Sequence, residues 1–293
     1  MFKVAILGCE NSHGYCFVDS VINHNLVDDV EFVGVYSDEE GAADKYAKDF
    51  GIYVAKSYDE FVGKVDGIII TARHGDNHYK YAKPYIDSGI PMFIDKPITC
   101  SEEDAKAFMA ELKAKNVPVC GGSCCAHADI VHELKQLVAE GNNGKVCGGY
   151  LRCPLVIDHV EYGGFYFYSQ HLVEPSLDIF GHFPNSVMMY PSYPNYNCIV
   201  RYDNYDIFLD FNSDYSLVND LCYASVNFDL DVIGRTYSYD GLFDREFLEF
   251  HDLLLGKPQH KTYEEFFAPV YVINAMKRSL EGGKEEIVHR CTD

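Results

Sequence analysis

The 293-residue chain is 47% hydrophobic and 24% charged, an ordinary globular composition that excludes disorder, collagen and fibrous repeats, and its length suits two domains. Its formal charge of −21 repels phosphate polymers and anionic lipid, so neither nucleic acid nor a membrane is expected as a partner, and no stretch approaches the roughly 20 apolar residues of a membrane span. The 11 cysteines are scattered through apparent helices and strands behind an N-terminus without an apolar leader, and are expected to be reduced thiols of a cytoplasmic protein.

The first part of the chain alternates strand and helix. Lys3–Leu7 is a short apolar run of buried-strand type, followed by a glycine turn and a helix to about Asn23. Val30–Tyr36 is a second strand, and Asp38–Phe50 a helix with Ala42, Ala43, Tyr46, Ala47 and Phe50 at helical spacing, ended by Gly51. Tyr53–Ala55 is a short third strand, and Ser57 with Glu60 fits a capping box opening a short helix. Val65–Thr71, Met92–Asp95 and Val117–Cys120 complete the strands, with helices at Asn77–Ser88 and Ser101–Lys115. Near-continuous apolar strands alternating with helices predict a doubly wound, Rossmann-type parallel sheet.

Past about Gly121 the grammar changes. An amphipathic helix, Ala128–Glu140, precedes strand-like runs at Val146–Pro154, Val187–Tyr190, Cys198–Tyr202, Tyr205–Asn212, Cys222–Phe228 and Asp231–Ile233, separated by turn residues. Helices at Asp244–Leu255 and Pro269–Leu280 close the chain. The fold class is therefore α/β: a Rossmann domain over residues 1–120, then an α+β domain over 121–293 built on an open, mostly antiparallel sheet, from which a C-terminal helix can return to the first domain.

The first strand–turn–helix is where a dinucleotide's pyrophosphate would meet helix amides. The G-x-G-x-x-G fingerprint is not intact: the turn reads Gly8-Cys9-Glu10-Asn11-Ser12-His13-Gly14, and only Gly8 is in register. Glu10 stands where a glycine would let the backbone approach phosphate, and Asn11 and Ser12 offer compensating hydrogen bonds. At the end of the second strand Ser37 occupies the place of the ribose-binding acid, with Asp38 one residue further on. No arginine stands beside it in sequence to greet a 2′-phosphate, which favours NAD over NADP. The alternative is a Rossmann domain that has lost its dinucleotide.

Three further segments carry a resemblance. Thr71-Ala-Arg-His74-Gly-Asp-Asn-His78 resembles the T-P-x-x-x-H loop of the glucose–fructose oxidoreductase / inositol dehydrogenase (Gfo/Idh/MocA) family, Asp95-Lys96-Pro97 its Glu-Lys-Pro motif, and the tail from Phe247 through Ile287 its closing helices. The resemblance implies an NAD(P)-binding domain, an open-sheet substrate domain, hydride transfer at a carbinol carbon of a sugar-like or polyol substrate, no metal, and a homo-oligomer formed through the second-domain sheet. It places Gly8, Asn11, Ser12, Ser37, Asp38, Thr71, His74, His78 and Asp95 at the cofactor, and Lys96, Arg152, Tyr168 and His171 at the substrate.

Oxidising an alcohol needs a base for its hydroxyl proton. Lys96 follows a strand's carboxyl end, where ligands of doubly wound sheets bind. Burial disfavours an ammonium's charge and brings proton exchange towards neutrality, while Asp95 opposes this unless it faces away. His171 matches the histidine of the family's D-x-x-x-H, but Phe167 replaces the aspartate, leaving Tyr166, Tyr168, Gln170 and Glu174 as neighbours that could supply polar groups. Arg152 and His159 flank a segment that lines the substrate cleft in the family. Cys120-Gly-Gly-Ser-Cys124-Cys125-Ala-His127 lacks the second spaced pair of a metal site, and a cysteine hydrolase lacks a visible oxyanion hole. Two readings stand: an oxidoreductase, with Lys96 and His171 doing acid–base work, and a non-catalytic ligand-binding or regulatory relative on the same fold.

Overall fold

The computed structural model describes residues 1–155, 157, 163–193, 195–212 and 222–291. They divide into two compact units, Met1–Gly122 with Phe243–Phe266, and Ser123–Leu242 with Phe267–Asp293. Among the described residues, no helix is long and apolar enough to cross a membrane.

The first unit is a parallel five-stranded sheet in the order β2-β1-β3-β4-β5, formed by β1 (Phe2–Leu7), β2 (Val30–Tyr36), β3 (Gly67–Ile70), β4 (Met92–Asp95) and β5 (Val119–Gly122). The order reverses direction at β1, so the carboxyl ends of β1 and β3 form the switch point where doubly wound sheets receive ligands. Helices α1 (Ser12–Ile22), α2 (Asp44–Phe50), α3 (Asp76–Ala82) and α4 (Glu102–Lys115) connect the strands. A core of Val4, Ile6, Phe17, Ile69 and Phe93 is completed by Phe247 and Phe250 of α7 (Leu242–Leu254), far along the chain. Each such buried side chain contributes about 2 kcal/mol relative to exposure.

Four local expectations are corrected. The third strand shrinks to a single bridge, Val35 to Val54, in which the Val35 amide donates to the Tyr53 carbonyl and the Ala55 amide to the Val35 carbonyl. The helix expected from Asp38 starts at Asp44, since Gly41 at φ +77° breaks the path into turns. Glu60 spends its carboxylate on the Tyr53 hydroxyl and the Lys56 amide, so it does not reciprocate Ser57 and no capped helix forms. Further on, Pro84, lacking an amide hydrogen, converts the end of the 77–88 helix into a 3-10 turn at Lys83–Ser88.

In the second unit, α5 (Asp129–Glu140), β6 (Val146–Cys153) and α6 (Phe165–Phe180) precede β7 (Ser186–Ser192), β8 (Asn195–Arg201), β9 (Asp206–Phe211), β10 (Cys222–Phe228) and β11 (Val232–Tyr237). With β12 (Glu286–Ile287), after α8 (Tyr263–Gly282), they make a seven-stranded sheet, β11-β10-β6-β9-β8-β7-β12, antiparallel except between β6 and β9. Helices α5 and α6 pack on one face, and Leu151, Cys153, Leu209, Phe211, Ala224 and Val226 are buried. Alternate residues such as Tyr150, Arg152 and Phe208 leave the other face.

The register that sets Tyr223 opposite Arg152 also brings Cys222 to Cys153, with their Cα atoms 4.4 Å apart, and the two form a disulfide. The expectation that every cysteine is a thiol is corrected at this pair. Strand pairing across 69 residues of sequence, which no local pattern announces, brings them together.

Candidate functional site

The turn after β1 closes on the neighbouring strands. Gly8 adopts φ +76°, and a Cβ there would lie 2.4 Å from the Ala72 backbone, so the position admits only glycine. Its carbonyl accepts from the Thr71 hydroxyl at 3.1 Å. His78, fully buried, meets the Ala72 carbonyl through Nε2 at 2.8 Å, and burial pushes its imidazole below the ordinary range. Thr71 and His78 thereby hold the β3 loop against the glycine turn. His74, by contrast, stands half-exposed beside Asp76.

Asn11 caps α1 and also reaches across to the end of β4. Its Nδ2 donates to Asp95 Oδ2 at 2.8 Å, and His13 Nδ1 lies 3.0 Å from Asp95 Oδ1. Ser12 hydroxyl lies 3.5 Å from Asn11 Oδ1 at the opening of the same helix. Asp95 is wholly buried. Burial works to raise its carboxyl, but the charge and hydrogen bond of His13, then the charge of Lys96, hold it below the usual carboxylate range. The Lys96 amide donates to Asp95 Oδ1 at 2.8 Å, and the Lys96 side chain is itself buried, 2% exposed. The bond between Lys96 and Pro97 is cis. Asp95 therefore ties together the glycine turn, the first helix and the backbone of Lys96.

Glu10 does not project into solvent. It is 6% exposed, and its carboxylate bridges the ends of two strands, accepting from the Ser37 hydroxyl at 2.6 Å and the Arg73 amide at 3.1 Å. Burial first, then this carboxylate, push the Cys9 thiol up to about 12, which removes Cys9 as a nucleophile at neutral pH. Asp38 is engaged elsewhere. It accepts from the hydroxyls of Tyr36 and Tyr81 and from Lys80 Nζ, and these partners, Tyr36 first, hold its carboxyl below the ordinary range. The fold also brings Arg73 from the β3 loop to the β2 end, where its guanidinium meets Glu39 at 3.1 Å. The sequence shows no arginine beside that strand, because Arg73 arrives from 34 residues away.

A nicotinamide dinucleotide fits this mouth in part. The glycine turn, the capped helix start and the switch point are present, and one conformationally free glycine stands where the fingerprint has three. One carboxylate, that of Glu10, also reaches the end of β2 through the Ser37 hydroxyl.

In the second unit, His171 sits on α6 and is 6% exposed. Its Nδ1 lies 2.8 Å from Ser123 Oγ and 3.8 Å from Cys125 Sγ. Glu174, one turn further along α6, accepts from the Ser123 amide at 2.7 Å and from Gln170 at 2.8 Å, fixing the loop that carries Ser123. Phe167 is buried, and the Tyr168 ring lies 6.4 Å from the His171 ring. Arg152 alternates with buried Leu151 and Cys153, so it leaves the sheet on the face opposite α6 and is not brought to His171. His159 lies outside the described residues. The sequence reading missed Ser123, His13 and the reach of Glu10. An intruding acid in a glycine turn was the one visible signal.

Residues 2–122 match a family model, GFO_IDH_MocA, described as an oxidoreductase family with an NAD-binding Rossmann fold. No curated protein matches the sequence. Among solved structures, the chain is similar to scyllo-inositol dehydrogenase from Lactobacillus casei with bound NAD(H) and scyllo-inositol, at 14% identity and TM-score 0.84, over 98% of this chain and 99% of that one. It is also similar to the myo-inositol dehydrogenase of Lactobacillus casei in complex with NAD(H) and myo-inositol, at 14% identity and TM-score 0.84, over 99% and 97%. A third is myo-inositol 2-dehydrogenase from Lactobacillus plantarum, at 14% identity and TM-score 0.82, over 98% and 99%. At such identity the likeness is one of fold.

Proposed function

On the premise that this chain belongs, through its Rossmann unit, to the Gfo/Idh/MocA oxidoreductase family, we propose that it is an NAD-dependent oxidoreductase that oxidises or reduces a carbinol carbon of a sugar-like or polyol substrate. The observation that carries the reading is a buried lysine, Lys96, at the carboxyl end of β4 beside the switch point, with Asp95 fixing its backbone. The nicotinamide, when bound, supplies the hydride acceptor or donor. Gly8, Asn11 and Ser12 form the helix opening that receives the diphosphate, and Thr71 and His78 keep the adjoining loop in place. Lys96 takes the hydroxyl proton as the carbon–hydrogen bond is broken, and returns it in the reverse direction.

His171 binds or relays a proton to a substrate hydroxyl, with Ser123 setting its ring. Tyr168 contributes a hydroxyl on the same helix. Phe167, apolar where the family carries an acid, points away from inositol and glucose and towards a substrate that needs one fewer hydrogen-bond acceptor. On the open sheet face, Tyr190 and Phe208 are well exposed, and this face is read as meeting a second copy of the chain.

A second reading is favoured by Glu10, whose carboxylate already holds the Arg73 amide and the Ser37 hydroxyl: a non-catalytic relative that binds another ligand. Titration with NADH, followed by nicotinamide fluorescence, separates the two. Saturable binding below millimolar concentration supports the oxidoreductase, and none at millimolar NADH or NADPH leaves the second reading.

A further inference from the structure

We propose that Glu10 is the acid that reads the vicinal hydroxyls of the nucleotide ribose, in place of a residue at the end of β2, and that it excludes a 2′-phosphate. This rests on the oxidoreductase reading above and assigns the specificity of its cofactor site.

The argument starts from what the β2 end lacks. A ribose diol donates two hydrogen bonds and is held by an acceptor at this strand end. Ser37 is too short to reach it and is itself a donor to Glu10. Asp38, the other acid nearby, is turned to Tyr36, Tyr81 and Lys80. Glu10 Oε2 accepts from the Ser37 hydroxyl at 2.6 Å, which holds a carboxylate at the strand end where the sequence itself offers only a serine. The residue that breaks the glycine fingerprint thus restores the charge missing from the strand end.

The carboxylate is also prepared for the task. A carboxylate offers about four lone-pair positions. Ser37 occupies one on Oε2 and the Arg73 amide one on Oε1, which fixes the plane of the group from both sides and leaves acceptor capacity on each oxygen. The arrangement suits two hydroxyl donors and repels a phosphate dianion. The cations that could offset that repulsion are engaged: Arg73 with Glu39, and Lys80 with Asp38.

The test is isothermal titration of the full-length protein with NADH, NADPH, ADP-ribose and 2′-phospho-ADP-ribose, so that the readout is binding and not turnover. Wild type should bind NADH and ADP-ribose at least about thirtyfold more tightly than their 2′-phosphorylated counterparts. Glu10→Gln keeps the shape and removes the charge, and should narrow that ratio by about tenfold, partly by tightening the phosphorylated ligands. Ser37→Ala should weaken the unphosphorylated ligands by severalfold while keeping the preference. Thermal unfolding of each variant confirms that it is folded. An unchanged ratio in Glu10→Gln, with NADH still bound by wild type, overturns the proposal and leaves the oxidoreductase reading standing. Absence of any dinucleotide binding to wild type overturns both. Tighter NADH binding to Glu10→Gln than to wild type shows that the carboxylate obstructs the dinucleotide and overturns the proposal.

Discussion

His13 Nδ1 and Asp95 Oδ1 lie 3.0 Å apart in the interior of the first unit, joining the first helix to the strand end that carries Lys96. Asp95 is wholly buried and its carboxyl is held below the ordinary value of 3.8. A carboxyl depressed in the folded state contributes stability that is complete above its unfolded value and is lost as pH falls through the folded one. Wild-type stability should therefore decline below about pH 4. Asp95→Asn should be less stable by about 2–3 kcal/mol at pH 7 and flatter on the acid side. Urea unfolding at neutral and acid pH, followed by circular dichroism, measures both. Equal stability of the two proteins at pH 7 would refute the role given to the pair.

Gly8→Ala tests the tightest approach in the turn. The left-handed φ disfavours any side chain, and the added Cβ would meet backbone atoms of Ala72 that cannot rotate away. A loss of roughly 3 kcal/mol or more in unfolding free energy is expected. A variant as stable as wild type would mean that the β1 and β3 loops separate freely.

Lys96→Met keeps an apolar stem in the buried space and removes the amine. Under the proposed oxidoreductase reading, kcat/KM should fall by about a hundredfold or more, while NADH affinity and far-ultraviolet circular dichroism stay near wild type. Partial recovery of rate with added small amines would identify the missing group as the proton acceptor. Full activity would remove Lys96 from the chemistry.

His171→Gln and Ser123→Ala test the proposal that His171 touches substrate and that Ser123 orients it. The 2.8 Å contact between Ser123 Oγ and His171 Nδ1 fixes the ring, so losing the hydroxyl should cost less than about tenfold in kcat/KM and should move the pH profile. Losing the imidazole should cost about a hundredfold and abolish the corresponding limb. Identical profiles for Ser123→Ala and wild type would deny the positioning role.

Much of the first unit is legible in the sequence. Val30–Tyr36 and Met92–Asp95 are strands with the bounds read from their largely apolar runs, since strands of a parallel sheet covered by helices are rich in apolar residues. Ser101 caps the helix expected from it, through the Asp104 amide at 3.0 Å. The errors fell where weak local preferences met a competing partner. Glu60 chose Tyr53 and Lys56 over Ser57, and a glycine at 41 cut short a helical pattern. For Arg152 the family resemblance implies a place at the substrate, whereas strand alternation turns it to the open face of the sheet.

From the order of residues alone come the parallel sheet and its change to hairpins, the lysine after β4 and the damaged glycine turn, because burial patterns and turn chemistry are properties of neighbours in the chain. What the damage means is settled only in three dimensions. Glu10 meets Ser37 and Arg73 across 27 and 63 residues, His13 meets Asp95 across 82, and Cys153 meets Cys222 across 69. The strength and sense of a charge depend on what surrounds it once water is excluded, and those surroundings are assembled by strand order and helix packing.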